Sequence, residues 1–303
     1  MLTTRAIPRR AGTTLVELLV ALTLGGLVLG MVGAMCVRQQ RIYADLAVNA
    51  ARSEQLRDAA SILPIDLRGL SPGAGDIREA LDTALEFRAT ITSAVVCDTA
   101  GGSIVLTPPT TDPSTFTSME TPIAAGDSIW ILSLADSIAP WTSARILTTG
   151  SAPAGQCAPG GPRLIGAALA ARRSTATLSI PLASPIGAVV RISRPLRYSL
   201  YRAGDNLWYL GARDWNTTTQ QFNGIQPVSG PFLSATQRGL LFAYLDSTGN
   251  KLSTPIQNPG AINAISVELR AQTGAPVRVL SAAGSVAPRV DSTRLLILLH
   301  NRK

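Results

Sequence analysis

The twenty residues from Leu18 to Val37 carry no charge. At the helical rise they span about 30 Å, the hydrocarbon thickness of a bilayer. Directly before them stands Glu17, a carboxylate one turn inside an otherwise apolar segment. An ionisable group there is costly to bury alone and is usually functional, so the position calls for a cation.

Three organisations compete for this segment. A cleaved secretory signal has a basic start, an apolar core of about 7–15 residues and a small-residue site after it. Arg5, Arg9 and Arg10 supply the basic start and Val32-Gly33-Ala34 a passable site, but the apolar run is too long and Glu17 interrupts its head. An uncleaved signal anchor fits the length and leaves Glu17 unexplained. The third organisation rests on a motif.

Gly12-Thr13-Thr14-Leu15-Val16-Glu17-Leu18-Leu19-Val20-Ala21-Leu22 follows the basic leader. This pattern resembles the signal of type IV prepilins and type II secretion pseudopilins. The resemblance implies cleavage by a membrane-embedded prepilin peptidase after Gly12 and methylation of the new amino group on Thr13, although Thr stands where the family more often has Phe or Met. Glu17 becomes the fifth residue of the mature chain, whose carboxylate meets the N-terminal amine of a neighbouring subunit during assembly. Two charges that are each costly in lipid become tolerable as a pair. The implied partners are other pseudopilins or minor pilins through the N-terminal helix, and an inner-membrane assembly platform.

Orientation follows from charge. Three arginines and no acids before the span favour a cytoplasmic N-terminus, diluted by Arg38 and Arg41 after it, and place the rest of the chain in the periplasm. The formal charge is +8, but without the three leader arginines 24 basic side chains face 19 acidic ones, a net of +5. These are scattered, so nucleic-acid binding is not expected. Roughly 230 residues remain beyond the helix, enough for a sizeable core.

Residues 38–70 predict a continuation of the helix, with Ile42, Leu46, Leu56, Ala60 and Leu63 on one face. Pro64 should kink or stop it, and Ser71-Pro72-Gly73-Ala74-Gly75 ends it. Beyond residue 75 short β-rich runs separated by Gly, Pro, Ser and Thr predict strands at Ala84–Ile91, Ser93–Cys97, Ser103–Thr107, Ser128–Leu134, Ser143–Leu147 and Thr175–Ile180. Further strands are predicted at Val189–Ile192, Arg197–Arg202, Asn206–Gly211, Leu240–Leu245, Ala264–Leu269 and Thr293–Leu299. Residues 108–122 and 150–162 read as long loops. The expected fold class is α+β: a long N-terminal transmembrane and amphipathic helix followed by a mainly antiparallel β globular domain. Its divisions are a leader at 1–12, a span at 13–37, a helical continuation at 38–70 and a globular domain at 76–303.

Arg197-Tyr198-Ser199-Leu200-Tyr201-Arg202, Asn206-Leu207-Trp208-Tyr209-Leu210 and Phe242-Ala243-Tyr244-Leu245-Asp246, with the close Leu295 to Arg302, resemble the tail of J-type minor pseudopilins and PilW-like minor pilins. Alternating aromatics on a hairpin are read as sheet core rather than as a site. Cys97 and Cys157 are candidates for a disulfide closing a loop of about 60 residues in an oxidising compartment. Cys36 lies in the span as a small hydrophobe.

Catalytic parts are scarce. The one histidine is His300, and no Gly-x-Ser-x-Gly, Walker loop or Gly-x-Gly-x-x-Gly occurs. The acids from Asp66 to Asp136 keep no calcium-loop spacing, and no Cys/His cluster suggests zinc. Asp66-Leu67-Arg68 reads as a helix-surface ion pair. No catalytic residue, cofactor or metal is expected. The expected role is that of a minor pseudopilin-like structural subunit, in the inner membrane with one span, that initiates or caps a filament. Two alternatives stand beside it: a minor type IV pilin for adhesion, motility or DNA uptake, and a signal-anchored periplasmic enzyme or binding domain.

Overall fold

The computed structural model describes residues 14–100, 102–109, 118–119, 121–132, 141–181, 185–272, 277–278, 286–287 and 290–299. One long helix, α1 (Leu15–Arg68), precedes a mainly antiparallel β domain, giving an α+β fold. The chain forms two compact units, Met1–Arg52 with Thr273–Pro288 and Ser53–Gln272 with Arg289–Lys303.

The strands in chain order are β1 (Ile77–Ala80), β2 (Ala84–Ala100), β3 (Ser103–Leu106), β4 (Ser118–Met119), β5 (Ser128–Leu132) and β6 (Trp141–Ser151). A one-turn helix α2 (Ala167–Ala170) then precedes β7 (Ser174–Leu178), β8 (Val189–Arg202), β9 (Trp208–Asn216), β10 (Gln221–Phe222) and β11 (Gln226–Phe232). The last are β12 (Leu240–Leu245), β13 (Ala264–Gln272), β14 (Val277–Arg278), β15 (Val286–Ala287) and β16 (Val290–Leu298).

Six of these strands close a ring: β2 pairs β3, β3 pairs β7, β7 pairs β6, β6 pairs β5, β5 pairs β8, and β8 returns to β2. Every pairing is antiparallel, so the ring is a small closed barrel with no free edge of its own. Period-two alternation fills it. Each strand sends two residues inward: Ala94 and Val96, Ile104 and Leu106, Ile129 and Ile131, Ala144 and Ile146, Ala176 and Leu178, Val190 and Ile192. Aliphatic and alanine side chains of this size suit a lumen narrower than that of an eight-stranded barrel.

β2 and β8 are long enough to leave the barrel and build a second layer. The first half of β2 pairs β1 and the second half of β8, and β8 continues to β9 and β11. The hand-over is visible at single residues. Ile91 is an extra residue in β2, since Thr90 opposes Ser193 and Thr92 opposes Ile192. This bulge flips the inward phase from Leu85 and Phe87 to Ala94 and Val96. Pro195 lies on β8 between the end of the β5 ladder at Ser193 and the start of the β9 ladder at Leu196, where a missing N–H on that edge breaks nothing.

In the larger unit the C-terminal part of α1 packs Leu56, Ala59, Leu63 and Leu67 into a core with Leu85, Phe87, Tyr198, Phe242, Tyr244 and Val267. That core is shared with the three-stranded sheet β12-β13-β16. The buried stripe runs through Ala59 rather than Ala60, and Ile42 and Leu46 are exposed. Pro64 lies inside α1 without ending it. In the smaller unit β14 and β15 pair as a two-stranded antiparallel sheet.

Most expected strands occur, with three corrections. The two runs at 84–97 are one strand β2, and the two at 189–202 are one strand β8. β6 runs on to Ser151, so the loop expected from Gly150 starts later. β1, β4, β10, β11, β14 and β15 were not anticipated, being short or, in β11, interrupted by Gly230 and Pro231, and β4 falls within the loop expected at 108–122.

Candidate assembly site

Helix α1 starts with a reciprocal cap. Thr14 Oγ1 accepts a hydrogen bond from the Glu17 N–H at 3.3 Å, and the Glu17 carboxylate accepts one from the Thr14 N–H at 3.3 Å. This is a capping box, Thr-x-x-Glu, which satisfies two of the donors orphaned at a helix N-terminus. The carboxylate also stands at the positive end of the helix dipole. The sequence signal for it is the spacing of Thr14 and Glu17 just before an apolar run, which the expectation of an assembly role for Glu17 passed over.

Around this acid every residue from Leu15 to Val37 is exposed, on a helix long and apolar enough to cross a membrane. The arrangement is an apolar stem with one exposed carboxylate near its tip. The contacts from Thr14, at 3.3 and 3.5 Å, both fall on Oε2, and the group retains capacity to accept from an external cation. Gly12 and Thr13 lie outside the described residues, as does His300.

The structure joins Cys97 and Cys157 in a disulfide with a Cα separation of 4.6 Å. Cys97 is fully buried on β2, and its carbonyl accepts from the Ala158 N–H at 3.0 Å. The loop bearing Cys157 is tied further by Arg173, whose guanidinium donates to the carbonyls of Gln156, at 2.9 Å, and Pro153. Cys36 is free and exposed.

Three arginines on β8 each meet a carboxylate. Arg191 pairs with Asp76, Arg194 with Asp127 at 2.7 Å, and Arg197 with Glu79 and Glu86. Asp76 and Asp127 look scattered in sequence, and only the register of β8 reveals them as buried partners. The hydrogen bonds that it donates to Asp127 hold the Arg194 guanidinium above its ordinary value, with burial opposing.

Asp66 does not form the surface pair expected with Arg68. Its carboxylate accepts from the Tyr198 hydroxyl. Burial raises the Asp66 carboxyl above its ordinary value and the Tyr198 bond opposes this. Burial and the Asp66 charge push the Tyr198 phenol up. Phe242 and Tyr244 are fully buried, and the Tyr244 hydroxyl donates to the Leu81 carbonyl at 2.7 Å, so these tail aromatics are core.

Residues 7–33 match the family described as the prokaryotic N-terminal methylation motif. A search of curated proteins finds no match, and a search of solved structures finds none. The matched segment contains Gly12, Thr13 and the Thr14–Glu17 capping box. It supports a type IV pilin-like or pseudopilin-like protein whose N-terminal apolar helix fits a membrane anchor, and it implies processing by prepilin peptidase and assembly with pilin-like partners.

Proposed function

We propose that the chain is a minor pseudopilin-like structural subunit of a type II secretion pseudopilus, cut after Gly12 and helping to initiate or cap the filament. The observation that carries the reading is the exposed Glu17 carboxylate at the head of an apolar helix, inside the matched motif. In lipid such a group is stabilised by a cation, and the new amine of a neighbouring processed subunit supplies one. The role is structural rather than catalytic. The head faces the periplasm, consistent with the arginines before the span, and its bulk favours a low-copy position over a repeating shaft.

The test is the intact mass of the membrane-extracted protein from cells with and without active prepilin peptidase. Loss of residues 1–12 only when the peptidase is present, with or without about 14 Da for a methyl group, is the expected result. A full-length mass in both strains, or a cut near Ala34, overturns the reading. Cross-links from the head to secretion pseudopilins support the secretion machine. Recovery of the chain in sheared pili points instead to the type IV pilus.

A further inference from the structure

A cavity of about 470 Å³ opens on the outer face of the barrel, where β5 and β6 meet the second layer. Its polar lining includes Arg78, Arg88 and Arg145, the indoles of Trp130 and Trp215, and Ser128 and Ser143. The register explains the gathering. On β5 and β6, Ile129, Ile131, Ala144 and Ile146 point into the barrel, so the alternate residues Ser128, Trp130, Ser143 and Arg145 stand outside. Arg88 opposes Pro195 across β2 and β8. Trp215, at the far end of β9, is set edge-on against Phe222 with ring centroids 5.1 Å apart.

The charge is one-sided. Among the described residues neither Arg88 nor Arg145 has a carboxylate within salt-bridge distance. Arg88 donates to the Gly75 carbonyl at 3.0 Å, and Arg145 to the neutral amide of Gln220. Only Arg78 has an acid, Glu86 at 3.3 Å, through a well-exposed side chain, a kind of pair that contributes little. Burial lowers the Arg88 guanidinium, and Arg78 and Arg191 push the same way against Asp76; this cationic crowding is relieved by an anion. The floor is kept open by Gly126 at φ +96°, where a Cβ would come within 3.0 Å of the Gln220 amide.

We infer that this cavity is a binding site for a carboxylated sugar unit of an acidic polysaccharide. A guanidinium fork matches a carboxylate at two oxygens. Serine hydroxyls both donate and accept, as ring hydroxyls require. The half-buried Trp215 indole supplies flat apolar surface for the sugar ring, while Trp130 is buried with its N–H donated to Ser193 and backs the wall. The volume lies in the range of small-molecule sites and is too large for a simple inorganic anion. Its volume, that of a single small molecule, favours one sugar unit over a nucleic-acid strand. The site belongs to the β domain and stands or falls independently of the filament reading.

The test uses the full chain in a polyoxyethylene detergent, whose head groups carry neither sugar nor charge. Quenching of tryptophan fluorescence is followed on titration with tri-galacturonate, with the neutral trisaccharide of the same linkage, and with oligothymidylate. The acidic trisaccharide should bind at least about tenfold more tightly than the neutral one, the weight of one charge-assisted contact. Arg145→Gln, on an exposed side chain, should weaken binding by about tenfold with unchanged thermal melting, and Arg88→Gln should weaken it by a similar factor. Equal affinity for the neutral sugar, tighter binding of oligothymidylate, wild-type affinity in Arg145→Gln, or no response to any sugar overturns the inference.

Discussion

The Arg191 guanidinium grips the fully buried Asp76 carboxylate at both oxygens, Nη1 to Oδ2 at 2.9 Å and Nη2 to Oδ1 at 3.1 Å. The same carboxylate accepts from the Ser71 N–H at 2.8 Å, and the guanidinium lies 5.4 Å from the Trp130 ring centroid. One pair thus fastens the turn that follows helix α1 to the long strand β8.

Removing one partner of a buried pair strands the other charge, which typically costs about 3–5 kcal/mol. Asp76→Ala should therefore lower the unfolding free energy of the β domain by about that amount. Chemical denaturation of the full chain in detergent measures it, and a loss below about 1 kcal/mol would show that the pair is not a structural tie.

The disulfide closes a loop of sequence separation 60. In the chain-entropy account this is worth about 4 kcal/mol. Cys97→Ser with Cys157→Ser should lower the denaturation midpoint accordingly. Wild-type protein under reducing conditions should shift toward the same value, whereas the double variant should not respond to reductant.

Leu63 is fully buried on α1, whereas Ile65 on the same turn is 75% exposed. Truncation of a buried leucine leaves a cavity and costs about 2–5 kcal/mol. Leu63→Ala should fall in that range, while Ile65→Ala should stay within about 0.5 kcal/mol of wild type. Equal losses would mean that the helix packs through a different face.

Asp66 gives a pH signature. Its folded-state pKa is raised above the ordinary 3.8, chiefly by burial, so the native state holds a proton that the unfolded chain has already released. Its contribution to stability is fully present below about pH 3.8 and is lost as pH rises through the folded value. Asp66→Asn should flatten the fall in stability across that window, read from melting temperatures at successive pH values. An unchanged slope would assign the dependence to other groups.

Glu17→Ala should leave the melting of the β domain unchanged, because among the described residues the Glu17 side chain bonds only to Thr14, at the start of the helix. Processing after Gly12 should persist while incorporation into filaments is lost. Glu17→Gln retains a capping-box acceptor but not the charge, so rescue of assembly by glutamine would remove the ionic pairing from the mechanism.

The tip of helix α1 was readable because it is local. The uncharged run from Leu18 to Val37 sets the length of the stem, and Thr14-x-x-Glu17 is a cap encoded within four residues. The strands were also readable in kind, since alternation at Ile129 and Ile131 or at Ala144 and Ile146 is a pattern within one segment. Where a segment changed partners the reading broke. The bulge at Ile91 and the proline at 195 look like strand ends in sequence, yet each marks a long strand passing from the barrel to the second layer.

What the sequence by itself determined is therefore the anchor with its single carboxylate, the α+β class and the alternation that fills the barrel, all fixed by helical rise, capping distance and period two. Tertiary structure alone decided that six strands close into a ring, that Asp76 and Asp127 become the buried partners of Arg191 and Arg194, and that Arg88, Arg145 and Trp215 meet at one cavity. These depend on registers between segments up to more than a hundred residues apart. Antiparallel pairing of many similar β-rich runs is not specified by any one of them; it is selected by the burial that the closed set achieves together.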